Sequence, residues 1–199
     1  MESRKPDALL VGVTGTPGVG KSYFSKRLRD KLSSAGIAAE IIEINDIVDS
    51  ENAYGGTDEF GSRIIKPAVL KRSMKKAVGK KGVCIVVGHL LPETGLKPNI
   101  CIVLRQSLPV LERRLERRRY AKAKIRENLL AEAYDDIGVR IKGKCGETYE
   151  AESDGEKKRL MSYLVGVASG KKPKRPKSID IDKFVELERL ILDGNKLGF

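Results

Sequence analysis

A chain of 199 residues, 40% hydrophobic and 33% charged, is long enough for one sizeable core and short for two; no run approaches the ~18 apolar residues of a membrane-spanning helix. Lysine and arginine outnumber aspartate and glutamate by 39 to 27, a formal net charge of +12, which suits an anionic partner larger than one nucleotide, such as nucleic acid, or a generally cationic surface. Cys84, Cys101 and Cys145 form no metal-ligand pattern, and two of them fall in expected core strands, so they read as reduced thiols of a cytoplasmic protein.

The first seven residues read as a polar lead-in rather than a signal peptide, because the apolar run behind them is short and continues into a glycine loop. That run, residues 8–13, is the first expected strand, buried on both faces. Gly15-Thr16-Pro17-Gly18-Val19-Gly20-Lys21-Ser22 follows and fits G-x-x-x-x-G-K-[ST] at every fixed position. Behind it Phe24, Leu28, Leu32 and Ala35 recur at helical spacing, and Gly36 ends the helix. Strand, glycine turn and helix together make a phosphate-binding loop. The glycines let successive amide N–H groups converge, and the helix N-terminus adds its positive end. Lys21 then reaches the β- and γ-phosphates of ATP, and the Ser22 hydroxyl serves a magnesium ion. The plain alternative is a chance match in a glycine-rich turn, against which the flanking strand and helix speak.

Residues 39–44 form the second expected strand, with Asn45 and Asp46 at its carboxyl end, where ligands approach an open α/β sheet. Residues 49–63 are polar and glycine-bearing and read as irregular, either a mobile segment beside the phosphate site or a solvated connection. A basic amphipathic helix is expected over 64–78, with Pro67 tolerated in its first turn. The third strand, 83–87, ends at Gly88 and His89, the only histidine. A lone histidine is commonly a satisfied polar residue; beside a nucleotide loop it also suits a catalytic or water-positioning role. The strand carries no acid of the kind that holds magnesium in such folds, which leaves Ser22, phosphates and water for the ion.

The fourth strand is expected over 99–104, then a helix over 108–118 with Leu108, Leu111 and Leu115 inward. From Arg113 to Arg126 the chain carries its densest positive charge, read as closing over transferred phosphate, contacting RNA or facing solvent. A helix over 125–137, a short fifth strand over 147–151 and a helix over 156–168 follow. Residues 171–177, Lys-Lys-Pro-Lys-Arg-Pro-Lys, make a basic linker without regular structure. A last helix is expected over about 180–192, its apolar face Phe184, Leu187, Leu190 and Ile191.

Strands separated by helices, with the phosphate loop after the first, make an open parallel α/β sheet. The loop is similar to that of nucleoside monophosphate kinases. Ile44-Asn45-Asp46, Val87-Gly88-His89-Leu90-Leu91-Pro92-Glu93, and Val103-Leu104-Arg105 with the run from Leu111 to Tyr120 resemble one branch: the small atypical adenylate kinases, also ATPases, that assist small-ribosomal-subunit assembly in archaea and eukaryotes. The resemblance covers roughly residues 8–155. Length sets a single domain over 1–199, within which the resemblance implies a five-stranded parallel sheet flanked by helices, an AMP-binding segment at about 45–63 and a short lid at about 117–127. The resemblance implies ATP contacts at Gly15, Gly18, Val19, Gly20, Lys21, Ser22 and Tyr23. Arg118 falls on the lid arginine, His89 on the strand-three histidine, and Asn45 and Asp46 at the start of the AMP segment. Two positions depart from the pattern: Val87 stands where members often carry an acid, and Arg119 where the lid has a glycine. The implied activity is an ATP:AMP phosphotransferase, with ATPase activity, acting in small-subunit and rRNA maturation beside a ribosomal protein or rRNA. An ATP-gated assembly factor and a kinase of another small acceptor remain open.

Overall fold

The computed structural model of the chain describes residues 8–57, 63–79, 81–177 and 183–192. Its strands are β1 (Leu9–Thr14), β2 (Ala39–Glu43), β3 (Tyr54–Thr57), β4 (Arg63–Ile65), β5 (Val83–Val87), β6 (Ile100–Leu104) and β7 (Glu147–Ala151). Its helices are α1 (Lys21–Ser34), α2 (Ile44–Ser50), α3 (Pro67–Ala77), α4 (Leu108–Arg117), α5 (Lys122–Ala133), α6 (Asp136–Ile141), α7 (Asp154–Ala168) and α8 (Phe184–Leu192). The five-stranded sheet runs β2-β5-β1-β6-β7, parallel throughout. β1 is the middle strand, with Val11 in register with Ile85 on one side and Ile100 on the other.

Every residue of β5 and β6 is buried, which is why both read as unbroken apolar runs rather than alternating ones. Side chains leave these strands alternately to two cores. Ile85, Ile102 and Leu104 pack with Phe24 and Leu28 of α1, Leu111 and Leu115 of α4, and Leu160 and Leu164 of α7. Val86, Cys101 and Val103 pack on the other side with Ile44 and Val48 of α2, Leu70 and Met74 of α3, and Ile137 and Ile141 of α6. Each such leucine or isoleucine contributes about 1.5–3 kcal/mol by leaving water. The two-sided burial fixes the carboxyl ends of β1 and β5 at one rim, and that rim carries the phosphate loop and His89.

The structure corrects four sequence expectations. Residues 49–63 are not irregular as a whole: Ile44 already starts α2, and β3 pairs antiparallel with β4. Residues 58–62, in the expected AMP segment, lie outside the described residues. Ile64 therefore belongs to β4 and is exposed, and the helix behind it begins at Pro67, whose missing N–H is no loss in a first turn. The helix expected over 125–137 is two helices. α5 ends at Ala133; Asp135 then takes a left-handed conformation, φ 53°, and its carboxylate accepts from Gly138 N (3.2 Å) to cap α6. Lastly, Cys101 and Cys145 form a disulfide, and only Cys84 is a free thiol, buried. The reason is topological: β6 and β7 are parallel neighbours, and Gly146 N donates to Pro98 O (3.0 Å), which draws the loop before β7 across the start of β6.

The C-terminal part follows the expected order. Ser153 and Glu156 form a capping box at the start of α7. Residues 171–177 have no regular structure, and Arg175 pairs with Glu147 (2.6 Å). In α8, Leu187 is buried while Phe184 and Ile191 remain largely exposed; the 180–182 part of the expected helix lies outside the described residues. Among the described residues no helix is long and apolar enough to cross a membrane.

Candidate active site

The loop between β1 and α1 is shaped by three glycines with positive φ: Gly15 (135°), Gly18 (98°) and Gly20 (103°). Gly18 also has no room for a side chain, because a Cβ there would stand 2.8 Å from Leu111 Cδ1. The loop lies directly on α4, and Arg114 Nη1 donates to Gly18 O (3.1 Å) to hold it there. Val19 plugs its side chain into the core, so this position serves a ligand through its backbone alone. Lys21 curls back and donates from Nζ to Gly15 O (2.8 Å) and Thr16 O (3.0 Å). Burial and then the positive charge of Arg118 lower its pKa to about 8, against the opposing pull of Glu132 and Glu43. Ser22 is exposed in the first turn of α1.

The loop forms a wall between two cavities. On one side Gly18, Gly20, Tyr23, Arg27, Arg114 and Arg118 line a cavity of about 370 Å³. Arg27 stacks over the Tyr23 ring, 5.6 Å from its centroid. On the other side a cavity of about 680 Å³ is lined by Thr16, Pro17, Asn45, His89, Lys124 and Arg140, among others. Burial, and then the cations Lys21, Arg140 and Lys124, push the His89 pKa down to about 4, so the imidazole is neutral at physiological pH. Arg140 donates to Asp136 (2.8 Å) and to Glu93, which hold the guanidinium at the cavity wall. The turn between α4 and α5 is short, and Arg119 adopts φ 58°, the left-handed conformation that a glycine would take without strain.

The structure thus brings Gly18, Val19, Gly20, Tyr23 and Arg118 to one cavity and Asn45 and His89 to the other, while Gly15, Lys21 and Ser22 are in neither lining. Asp46 stands exposed in the first turn of α2 and is not part of either lining. Among the described residues no three acidic, histidine or cysteine side chains converge as a metal site.

Sequence reasoning missed a buried cluster behind the loop. Glu132 of α5 accepts from Thr16 Oγ1 (2.6 Å), Arg105 Nε (3.0 Å) and Gln106 N (3.0 Å). Arg105, at the end of β6, is 1% exposed and also donates to Asp135. One signal was in the sequence: Asn128 and Glu132 stand four apart between the inward residues Ile125, Leu129 and Ala133, so both face the core. Lys124 lay within the basic run from Arg113 to Arg126, whereas Arg140 left no comparable signal.

Residues 11–135 match a protein-family model described as "AAA domain". A protein of Methanosarcina barkeri (strain Fusaro) named "Putative adenylate kinase" is 34% identical over 151 residues, 74% of this chain and 79% of that protein. One of the same name from Archaeoglobus fulgidus is 32% identical over 183 residues, 90% of this chain and 94% of its own length. Among solved structures, shikimate kinase from Acinetobacter baumannii in complex with shikimate superposes with a TM-score of 0.53 at 15% identity, over 84% of this chain and 96% of that one. This last likeness is one of fold alone.

Proposed function

We propose that this chain, which belongs to the family of P-loop nucleotide kinases that includes those archaeal proteins, is an ATP:AMP phosphotransferase, converting ATP and AMP to two ADP. The observation that carries the reading is the phosphate loop standing as the common wall of two cavities, Gly18 and Gly20 facing one and Thr16 and Pro17 the other. In that arrangement the donor's γ-phosphate and the acceptor's phosphate meet at the edge of the loop, where in-line transfer needs little movement.

The arginine-rich cavity takes the donor. The amides of Gly18 to Ser22 cradle the β- and γ-phosphates, and Lys21 exchanges its two carbonyl partners for phosphate oxygens. That exchange returns its ammonium to an environment that favours the charge. Arg118 faces the same cavity and neutralises charge as it develops on the transferred group; one such oriented donor is typically worth about 2.7–4 kcal/mol. The exposed Ser22 hydroxyl would help hold magnesium beside the phosphates, and the ion would supply further charge neutralisation.

The wider cavity takes AMP. Lys124 and Arg140 hold its phosphate, and Asn45 and Asn128 offer amide groups to its polar edges. An oxygen of that phosphate attacks the γ-phosphorus, the bond to the β-phosphate bridging oxygen breaks, and both products leave as ADP. His89, being neutral, gives or accepts a hydrogen bond in this cavity without adding charge. With no AMP bound, the same position suits a water molecule and hence ATPase activity.

A role in small-ribosomal-subunit and rRNA maturation is favoured by the net charge of +12 and the exposed basic stretch 171–177. A cytoplasmic location belongs to that reading. The deciding experiment is an acceptor screen with ATP and magnesium across the nucleoside monophosphates, with water alone as control. AMP is expected to be phosphorylated fastest; equal ATP turnover with and without every acceptor would make the protein an ATPase.

A further inference from the structure

We propose that Glu132 is a positioning residue for this phosphotransfer, acting through the Thr16 hydroxyl to fix the phosphate loop in the geometry from which transfer proceeds. The inference rests on the phosphotransferase reading above.

Glu132 lies in the last turn of α5, 2% exposed. A buried carboxylate is costly unless its charge and both oxygens find partners. Arg105 is the obvious partner, since its Nε donates to Oε1. Yet Arg105 has other carboxylates: it donates to Asp135 and stands 3.6 Å from Glu150. Its Nη2 bond goes to the main-chain oxygen of Glu132 (2.7 Å), which any residue at that position would offer. With three carboxylates around one guanidinium, neutralising Arg105 does not require a glutamate at 132.

The bond that sets Glu132 apart is the other one. A hydroxyl has one proton to give, and Thr16 gives it to Glu132 Oε2 at 2.6 Å. Thr16 is where a loose loop would matter. Its carbonyl accepts from Lys21 Nζ (3.0 Å) and Val19 N (3.3 Å), and the residue lines the wider cavity. The next residue is Pro17, which has no N–H to anchor the peptide. The side-chain bond to Glu132 supplies the missing anchor. Through Oε1 the same carboxylate takes Gln106 N, just before α4, the helix that leads to Arg118. One carboxylate therefore sets the loop, the approach to α4 and α5 in register.

The test compares Glu132→Gln, Thr16→Val, the double variant and Thr16→Ser on the full chain with ATP, AMP and magnesium. In Glu132→Gln the amide oxygen goes to the two N–H donors and the NH₂ faces Thr16, so volume is kept while the Thr16 hydroxyl loses the charged acceptor of its proton. Each of the first two variants should lower kcat roughly ten- to hundredfold, with KM for ATP changed less than about threefold. The double variant should be no worse than its weaker parent, because both break one contact. Thr16→Ser should recover most of the Thr16→Val loss. Amide hydrogen exchange of the nucleotide-free protein gives a readout without turnover: loop residues 18–21 should exchange faster in Glu132→Gln while β1 and β6 do not. Wild-type kcat in Glu132→Gln, losses that multiply in the double variant, unchanged loop exchange, or exchange raised throughout the core would each overturn the proposal. If the wild-type protein transfers nothing from ATP to AMP, the phosphotransferase reading falls, and loop exchange still decides whether Glu132 positions the loop.

Discussion

The two sides of the phosphate loop are built on different plans. The donor side is a contiguous stretch from Gly18 to Arg27 set against one face of α4 and the start of α7. The acceptor side is assembled from the loop, α2, the end of β5, α5 and α6. Their charges differ as well. The donor cavity gathers Arg27, Arg114, Arg118, Lys157 and Lys158 against the single carboxylate of Asp154. In the acceptor cavity the cations come with carboxylate partners, Arg140 with Asp136 and Glu93, Lys124 with Glu127. A surplus of positive charge suits a triphosphate, whereas pre-paired cations suit a ligand of lower charge chosen by fit. On the proposed reading, donor binding is mainly electrostatic and acceptor choice mainly a matter of shape.

The sharpest way to break this comparison is Lys21→Ala. It should lower turnover a hundredfold or more, about 3 kcal/mol of transition-state stabilisation, and leave the thermal midpoint nearly unchanged. Near-normal turnover would remove the loop from the chemistry. Next in size is the acid response of the acceptor side. His89 has an ordinary pKa of 6.5 when unfolded and about 4 when folded. Between those values the unfolded chain binds the extra proton, so stability is complete above pH 6.5 and is lost as pH falls toward 4. At about 1.4 kcal/mol per pH unit, the loss is at most about 3 kcal/mol. Denaturant melts at pH 7 and pH 4.5 should show that His89→Asn reduces the difference; an identical acid loss in the variant would contradict a buried neutral imidazole.

A smaller effect separates the two cavities directly. Arg140→Ala should raise KM for AMP about tenfold with KM for ATP unchanged, whereas Arg118→Ala should act mainly on kcat. Equal shifts in both Michaelis constants for Arg140→Ala would mean that the cavities are not separate sites. The smallest change concerns the turn between α4 and α5. Arg119 sits at φ 58°, where a non-glycine residue is strained by about 1 kcal/mol. Arg119→Gly should therefore raise the thermal midpoint by about 2–4 °C, and a drop instead would show that the side chain makes a stabilising contact.

Sequence alone determined the strand–loop–helix unit around Gly15 to Ser22 and the sheet, because their signals are local. The strand, loop and helix around Gly15 to Ser22 are one continuous stretch, and the buried strands announce themselves as short apolar runs. The inward faces of α1 and α4 followed from helical spacing for the same reason. Tertiary structure decided the wider cavity. The β3–β4 ribbon depends on pairing between two short segments, Tyr-Gly-Gly-Thr, broken by two glycines, and Arg-Ile-Ile, too short to announce a strand alone. The break between α5 and α6 was hidden because apolar spacing runs on through Ile137, while Asp135 is one of the few residue types that enter the left-handed region readily. The Cys101–Cys145 bond follows from two parallel strands lying side by side, which no spacing in the chain records. Glu132 is the extreme case. On its own it is an acid on an amphipathic helix; its meaning comes from Arg105, 27 residues away, and Thr16, 116 residues away. A buried charge takes its role from the groups that surround it, and only the folded chain brings those groups together.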